Sequence, residues 1–314
     1  MKKILCIGGV TTDIILSPVD SLPPPGVLRA VQSASTHVGG CAANAAIDLG
    51  KLGVPVALAC QVGQDTLGDF VIEQAGGAGV DTQWIVRGGE PTTCSIVCVN
   101  SQGERCFLYY PGSTSAYSIE SLPASPPKDC DIVFVAEALL LDSFDGQPAG
   151  EYLARARAQG AYTVMDTAWD PDGVWMPKIQ AALPGLDLFM PSLEEAQKLS
   201  GKEDPKEIAD VFFGMGVKSV IVKLGSQGAY LCPTPEERYT LPAYPGIAVA
   251  DTTGAGDSFC AGFLCGLANG WDFRACGQFA NAVGALCVTK IGASTGVPSM
   301  KEVLEFMESH TFLE

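Results

Sequence analysis

The sequence predicts an α/β fold built on one mainly parallel β-sheet. Short apolar stretches alternate with helical periodicity along most of the 314 residues, which is typical of strands joined by right-handed crossovers. One polar turn joins two strands directly and breaks this alternation, so we expect a small β lid beside the sheet. The length and the 47% content of hydrophobic residues suit one large domain.

The first half of the chain supplies the lid and several strands of the sheet. Ile4–Ile7 is a buried strand, and a helix follows Gly39-Gly40 and runs to about Lys51. The lid hairpin is formed by residues 93–100 and 105–110, and a weakly alternating strand at 28–35 joins it. The other elements predicted here are a strand at 56–62, a helix at 66–75 and a short strand at 84–86.

The second half of the chain continues the alternation. An apolar strand at 132–135 ends just before Glu137, and residues 167–175 form an irregular loop rich in tryptophan. The other predicted strands are 162–165, 186–190, 219–224 and 228–232. The predicted helices are 151–159, one that begins near 191, one that ends at 270, and those at 272–289 and 300–308.

The bulk composition excludes several classes of partner. A net charge of −16 is unsuited to nucleic acid or anionic membranes, because both need a basic protein surface. No run of 18 apolar residues indicates a transmembrane helix. The twelve cysteines show no Cys-x-x-Cys spacing, and only His37 and His310 accompany them, so we expect free thiols in a cytoplasmic protein and no zinc site.

The stretch Asp251-Thr252-Thr253-Gly254-Ala255-Gly256-Asp257 carries the strongest chemical signal. A helix begins there, and its first N–H groups have no intrahelical partner and carry the positive end of the dipole. The glycines let an anion approach those groups, and Asp257 falls in the first turn. A hydroxyl between a phosphate and this carboxylate would give up its proton to Asp257. Alternatively, Asp257 only complements the dipole and the glycines serve close packing.

Three polar side chains are candidates for a second ligand at the carboxyl edge of the sheet. Asp13 follows the first strand and either faces the crevice or forms a turn. Glu137 follows a buried strand in the same way. Asn44 disfavours a helix interior yet offers both a donor and an acceptor, and Gly39-Gly40 before it either admits a ligand or serves packing.

Two later segments are candidates for contact with the anion. Ser192 and Glu195 have the spacing of a capping box, which is a sufficient structural explanation for both. Gly225-Ser226-Gln227-Gly228 is a loop that can admit a chain of phosphates. Lys223 precedes that loop, and its ammonium group either reaches a phosphate or lies in solvent.

Over essentially the whole chain, these motifs in this order resemble the ribokinase-like carbohydrate kinases, the phosphofructokinase B family. The resemblance implies a ribokinase-like three-layer sandwich in a single domain, 1–314, with a β lid from about 28–35 and 93–110 through which two copies dimerise. It implies ATP-dependent phosphorylation of a primary hydroxyl on a pentose, ketose or sugar acid. A nucleoside kinase on the same fold, and a non-catalytic sugar- or nucleotide-binding module, are the alternatives.

The resemblance also implies a role for each candidate residue. Asp257 is the general base, and the anion hole comprises Gly254, Ala255 and Gly256. The substrate is bound by Asp13, Gly39, Gly40, Asn44 and Glu137. The nucleotide is bound by Ser192, Lys223, Gly225, Gly228 and Asn281. Mg²⁺ is held through water by Glu195, and a monovalent cation such as K⁺ by Asp251, Thr253, Cys287, Lys290 and Gly292.

Three positions depart from the family's usual pattern. Ser192 stands where the family usually has asparagine, and Lys223 replaces a small polar residue. Residues 167–171 contain no arginine, so fructose is not specially favoured as the substrate.

Overall fold

The computed structural model describes residues 1–310 and contains two β-sheets. The strands are β1 (Ile4–Ile7), β2 (Thr11–Ser17), β3 (Ser33–Gly39), β4 (Val56–Val62), β5 (Ile85–Arg87), β6 (Cys94–Val99), β7 (Arg105–Tyr110), β8 (Ile132–Ala138), β9 (Tyr162–Thr167), β10 (Leu188–Phe189), β11 (Val220–Lys223), β12 (Ala229–Cys232) and β13 (Tyr239–Leu241). The helices are α1 (Cys41–Lys51), α2 (Thr66–Gly77), α3 (Gly112–Ser115), α4 (Gln147–Ala158), α5 (Met176–Ile179), α6 (Leu193–Ser200), α7 (Pro205–Gly214), α8 (Ala255–Asn269), α9 (Phe273–Cys287) and α10 (Met300–Ser309).

The main sheet confirms the predicted mainly parallel architecture. Its nine strands follow the order β13-β12-β11-β10-β9-β8-β1-β4-β5. All neighbours from β11 to β5 are parallel, and only β12 and β13 are added in antiparallel fashion. Parallel pairing leaves the carboxyl ends of the strands from β11 to β5 at one edge, which is where ligands bind in open α/β sheets.

Side chains from β1 alternate between two hydrophobic cores. Ile4 and Cys6 pack into the core with α1, α2, α8, α9 and α10, whereas Leu5 and Ile7 pack into the core with α4, α6 and α7. Successive residues of a strand point to opposite faces, so a strand covered on both sides is apolar at every position. Helices therefore lie on both faces of the sheet, which confirms the three-layer sandwich.

The lid is a four-stranded sheet in the order β3-β2-β6-β7. The hairpin β6–β7 matches the prediction, whereas β2 is not predicted, because the sequence places Asp13 after the first strand, at the crevice or in a turn. The strand predicted at 28–35 is displaced: β3 begins at Ser33, and 28–32 lie outside any strand. Asp13 is consequently a lid residue within β2, opposite His37 of β3, and does not end β1. Its β-branched neighbours favour the extended conformation.

The structure can be searched for membrane-spanning helices, disulfide bonds and metal sites. Within 1–310, no helix is long and apolar enough to cross a membrane. All twelve cysteines in that range are free, and most of them are buried, as predicted. No group of three or more His, Cys, Asp or Glu side chains in the described part of the chain is arranged to hold a metal ion.

Candidate active site

The first turn of α8 presents free backbone N–H groups at the carboxyl edge of the sheet. Gly254 precedes the helix in the left-handed conformation, with φ 76°, and no side chain caps the N–H groups that follow. A Cβ on Gly254 would lie 2.3 Å from the Ala293 carbonyl oxygen, so only glycine fits this turn. The Ala255 N–H donates to the Thr252 carbonyl oxygen at 3.3 Å. The remaining N–H groups of the turn and the helix dipole together make a site for an anion.

Asp257 lies in this first turn and is held by α1. Its Oδ2 accepts a hydrogen bond from Asn44 Nδ2 at 2.8 Å. Burial raises the pKa of the Asp257 carboxyl above its ordinary value, while the Asn44 hydrogen bond and the nearby Lys223 ammonium oppose that rise. A carboxylate with a raised pKa is a better proton acceptor than an exposed aspartate, which suits it to general base catalysis.

Lys223 does not lie in solvent, so that alternative is wrong. Its side chain is 11% exposed, and its Nζ lies 2.5 Å from Asp166 Oδ2. Asp166 also accepts a hydrogen bond from Cys260 Sγ at 3.2 Å. A Cβ on Gly256 would lie 3.4 Å from Lys223 Nζ, so the ammonium group lies directly beside the anion-binding turn. Burial lowers the pKa of Lys223, but the negative charges of Asp166, Glu195 and other anionic neighbours together have the larger effect. The pKa is therefore raised above the ordinary value of a lysine, and the group stays charged.

Glu137 has the strongest structural signs of a ligand-binding residue. It is buried, and its backbone has φ 68°, which is unusual for a residue other than glycine. Its Oε2 is buried without a hydrogen-bond partner, and an unpaired buried oxygen is costly unless a ligand completes it. Burial, then the charge of Asp257, raises the pKa of Glu137 to about 8.

Asp13, Gly39, Gly40 and Asn44 lie beside the same crevice, between the lid and α1. A Cβ on Gly39 would lie 2.3 Å from Asp13 Oδ2, so the absence of a side chain there makes room for this carboxylate. Burial raises the pKa of Asp13 to about 6. Gly40 is the N-cap of α1, and the Asn44 Oδ1 is buried without a partner. These groups offer several acceptors to one polyhydroxylated ligand.

A cavity of about 360 Å³ connects Asp257 with the residues expected to bind nucleotide. Its lining comprises Cys41, Asp166, Thr167, Ala168, Trp169, Ser192, Glu194, Glu195, Lys223, Gly225, Gly256 and Asp257. Lys223 is the only cationic side chain in this lining, and the carboxylates come from four acidic residues. The cavity therefore suits an anion that arrives with a divalent cation, because Mg²⁺ typically binds one or two carboxylates together with phosphates.

The Ser192–Glu195 capping box is present in the structure. Glu195 Oε2 accepts hydrogen bonds from the Ser192 N–H at 3.1 Å and from Thr167 Oγ1 at 3.0 Å. Both capping residues nonetheless line the cavity, so a role in helix capping and a role in binding are compatible. Burial raises the pKa of Glu195. Oxygen ligands of this type fit Mg²⁺.

The two glycines of the loop after β11 differ in environment. Gly225 lines the cavity and has no atom within 4 Å of its Cβ position, so it leaves open space. Gly228 is instead constrained by packing, since a Cβ there would lie 2.0 Å from the Leu241 carbonyl oxygen. Asn281 donates to the Pro242 carbonyl oxygen at 3.0 Å, and it is absent from the cavity lining. Asn281 thus supports the backbone behind the loop.

The residues expected around a monovalent cation are engaged with other donors. Arg105 from the lid pairs with Asp251, and the Gly292 N–H donates to the same carboxylate. Cys287 Sγ lies 3.1 Å from the Ala293 carbonyl oxygen. The Lys290 N–H donates to the Cys287 carbonyl oxygen at 3.5 Å, and the Lys290 side chain is exposed. This set of groups does not fit an added cation.

Sequence reasoning missed two residues that the structure brings to the site, Asp166 and Arg105. Asp166 is the penultimate residue of β9, and only its position at a strand end signalled it. Arg105 begins β7 and reaches Asp251. The lid also places Tyr109 near the crevice: burial, followed by the charges of Glu137, Asp142 and Asp13, raises the pKa of its hydroxyl to about 12.

Comparison with known proteins agrees with this geometry. Residues 1–300 match the family described as pfkB family carbohydrate kinase. The chain is 29% identical to the aminoimidazole riboside kinase of Salmonella typhimurium, with 100% of this chain and 98% of the relative covered. Arabidopsis thaliana ribokinase complexed with ribose and ATP superposes with a TM-score of 0.83 at 26% identity, covering 97% of each chain. A candidate ribokinase II from E. coli, in complex with ATP and Mg²⁺, gives 0.86 at 26% identity, covering 99% and 100%.

Proposed function

The chain belongs to the pfkB family of carbohydrate kinases, which are ATP-dependent phosphotransferases, and we propose that it phosphorylates a primary hydroxyl of a small sugar. The observation that carries the proposal is the position of Asp257. This carboxylate lies in the first turn of α8, beside free N–H groups, and α1 connects it to the crevice through Asn44. A hydroxyl held there has a base on one side and an anion site on the other.

The proposed reaction is a direct phosphoryl transfer. Asp257 accepts the proton of the sugar hydroxyl, whose oxygen bonds to the γ-phosphorus of ATP as the bond to the bridging oxygen of ADP breaks. The N–H groups of Gly254, Ala255 and Gly256 bind the oxygens on which charge develops. Preorganised donors of this kind act without reorganising during the reaction.

Lys223 supplies positive charge beneath the same turn. Its pairing with Asp166 fixes the ammonium group next to Gly256. A buried ion pair at this point keeps the lysine charged and stationary, so it can stabilise the transferred phosphate electrostatically. Asp166 then acts as a positioning residue for Lys223.

Asp13, Gly39, Gly40, Asn44 and Glu137 form the proposed sugar site. The unpaired oxygens of Asn44 and Glu137 accept hydroxyl donors, and Asp13 adds a second carboxylate. Tyr109 of the lid places a hydroxyl near the Glu137 and Asp13 carboxylates. A pentose, a ketose or a sugar acid offers the several hydroxyls that such a site needs.

The nucleotide occupies the cavity beyond Asp257 in this proposal. Gly225 and Gly228 shape the loop that admits ATP, and Asn281 supports the backbone behind them. Ser192 faces the phosphates, and Glu195 would hold Mg²⁺ through water. The ion would neutralise phosphate charge, as Mg²⁺ does in phosphoryl transfer.

A nucleoside is the second candidate for the acceptor. Trp169 lines the cavity, is 53% exposed, and packs edge-to-face on Trp175 with ring centroids 4.8 Å apart. An exposed, supported indole could stack on a nucleobase. The matched relative from Salmonella typhimurium is a riboside kinase, which also favours this candidate.

Dimerisation through the lid is part of the proposal. The strand β7 lies at an edge of the lid sheet, and Phe107 and Leu108 on it are 58% and 54% exposed. An exposed apolar edge strand is a template for pairing with another chain. A second copy that covers β7 would also stabilise the lid, since a small sheet buries little surface alone.

The test is a panel of monosaccharides, sugar acids and nucleosides, assayed for ADP release with ATP and Mg²⁺. We expect a sugar or sugar acid to give the highest kcat/KM. If adenosine, inosine or cytidine is highest and no sugar exceeds background, the acceptor is a nucleoside. Binding of ligands without turnover of any acceptor would support a non-catalytic module and overturn the kinase proposal.

A further inference from the structure

A guanidinium group from the lid contacts the loop that leads into α8. Arg105 donates from Nη2 to Asp251 Oδ1 at 2.7 Å, and from Nη1 to Thr253 Oγ1. The Asp251 side chain is 2% exposed and that of Arg105 is 23% exposed. Among residues 1–310, no other cationic side chain pairs with Asp251. Arg105 is therefore the countercharge of a buried carboxylate.

Both oxygens of the Asp251 carboxylate already accept hydrogen bonds. Its Oδ1 accepts the Thr253 N–H at 2.7 Å in addition to the guanidinium, and its Oδ2 accepts the Gly292 N–H at 2.9 Å. Those hydrogen bonds and Arg105 hold the pKa of Asp251 below its ordinary value, although burial opposes them. One carboxylate thus joins the lid, the loop before α8 and the loop after α9.

The neighbouring carbonyl groups are also close to a donor. Cys287 Sγ lies 3.1 Å from the Ala293 carbonyl oxygen and 3.6 Å from that of Thr253. A monovalent cation placed here would compete with these donors for the oxygens and would be repelled by the guanidinium.

We propose that Arg105 takes the place of a monovalent cation and acts as a positioning residue that couples lid closure to the anion hole. This inference rests on the proposed kinase function. Thr253 directly precedes Gly254, so the Arg105 contacts fix the start of the anion-binding turn. Four residues further along β7, Tyr109 lies near the proposed sugar site. A sugar that orders the lid by contacting Tyr109 therefore also holds Arg105 against Asp251 and Thr253.

The test compares Arg105→Gln and Arg105→Lys with Arg29→Gln. Arg29 is a matched control, because it is an exposed arginine that donates to Ser21. Each protein is assayed with its best acceptor in KCl and in tetramethylammonium chloride at equal ionic strength. We expect the wild type and Arg29→Gln to have the same kcat in both salts.

The Arg105→Gln variant should lose kcat by about 10²-fold in tetramethylammonium, the scale of a misplaced catalytic group. KCl should restore part of that loss, because a small cation can then lie beside Asp251. The Arg105→Lys variant should lie between the wild type and Arg105→Gln, since lysine keeps the charge without the bidentate geometry.

Melting temperature is a second measurement and needs no acceptor, so it separates this inference from the kinase assignment. We expect KCl to raise the melting temperature of Arg105→Gln relative to tetramethylammonium and to leave the wild type unchanged. A wild type whose kcat or melting temperature rises with K⁺ would overturn the inference. So would an Arg105→Gln variant that matches Arg29→Gln in both measurements.

Discussion

Replacing Asp257 by asparagine removes one proton acceptor and changes the shape of the site little. Aspartate and asparagine are nearly isosteric, and the new amide oxygen can still accept the hydrogen bond from Asn44 that Asp257 accepts at 2.8 Å. The substitution also removes a buried negative charge, so the fold should not be destabilised. A loss of turnover would then report on proton transfer alone.

The size of the expected effect follows from the role of a positioned base. Such a group contributes about 10²–10⁴-fold to the rate. At about 1.4 kcal/mol for each factor of ten, this corresponds to about 3–5 kcal/mol of transition-state stabilisation. The loss should fall on kcat, because the N–H groups of α8 that are proposed to bind phosphate are unchanged.

The assay measures ADP release with the best acceptor from the panel, alongside ATP binding and thermal melting of the same protein. Asp210→Asn is the control, because Asp210 is a surface carboxylate paired with Arg238. A turnover of Asp257→Asn within about threefold of the wild type would refute the assignment, since the loss of a positioned base should exceed this.

The pH dependence of the wild type gives an independent check on Asp257. Burial raises its pKa above the ordinary value of 3.8, and only the ionised form accepts a proton. Activity should therefore fall as pH falls through this raised pKa, on an acidic limb that lies above 3.8. An acidic limb at the ordinary value or below would contradict the burial argument.

Four further variants test other parts of the protein. The double variant Lys223→Met/Asp166→Asn should melt near the wild-type temperature, since no unpaired buried charge remains. Its kcat should fall about 10²-fold, because the positive charge beside the transferred phosphate is lost. Glu137→Gln should raise the KM for the sugar by about tenfold and change kcat less, because an amide nitrogen replaces one of the two buried carboxyl oxygens, as initial rates at saturating ATP will show. Asp48 is buried, and burial raises its pKa to about 8, so the folded protein loses stability as pH rises towards 8. The Asp48→Asn variant should therefore melt at least about 2 °C higher than the wild type at pH 8.5. At low pH the two proteins should melt at the same temperature. Ser192→Asn should preserve the melting temperature, because asparagine caps helices equally well. Its activity at limiting Mg²⁺ should equal or modestly exceed that of the wild type. A large loss of activity would show that the phosphates do not accept the longer amide.

The sequence alone determined the features that depend on local spacing. The apolar run of β1 and the strand–helix alternation predicted the parallel sheet, since strand and helix periodicities are properties of short segments. The glycines and aspartate from Asp251 to Asp257 predicted the anion-binding turn for the same reason. Ser192 and Glu195 are three residues apart, and their capping box formed as predicted.

Only the tertiary structure decided which distant side chains meet. Lys223 pairs with Asp166 across 57 residues, and Arg105 reaches Thr253 across 148, so no periodicity within a segment encodes either contact. The same holds for Asp13, whose place in a lid strand depends on pairing with β3 and β6. The sheet order brings these segments together, and burial then decides their chemistry. Because Lys223 is buried, its ammonium group pairs with Asp166 instead of lying in solvent. Because Asp251 is buried, it needs a countercharge, which Arg105 supplies.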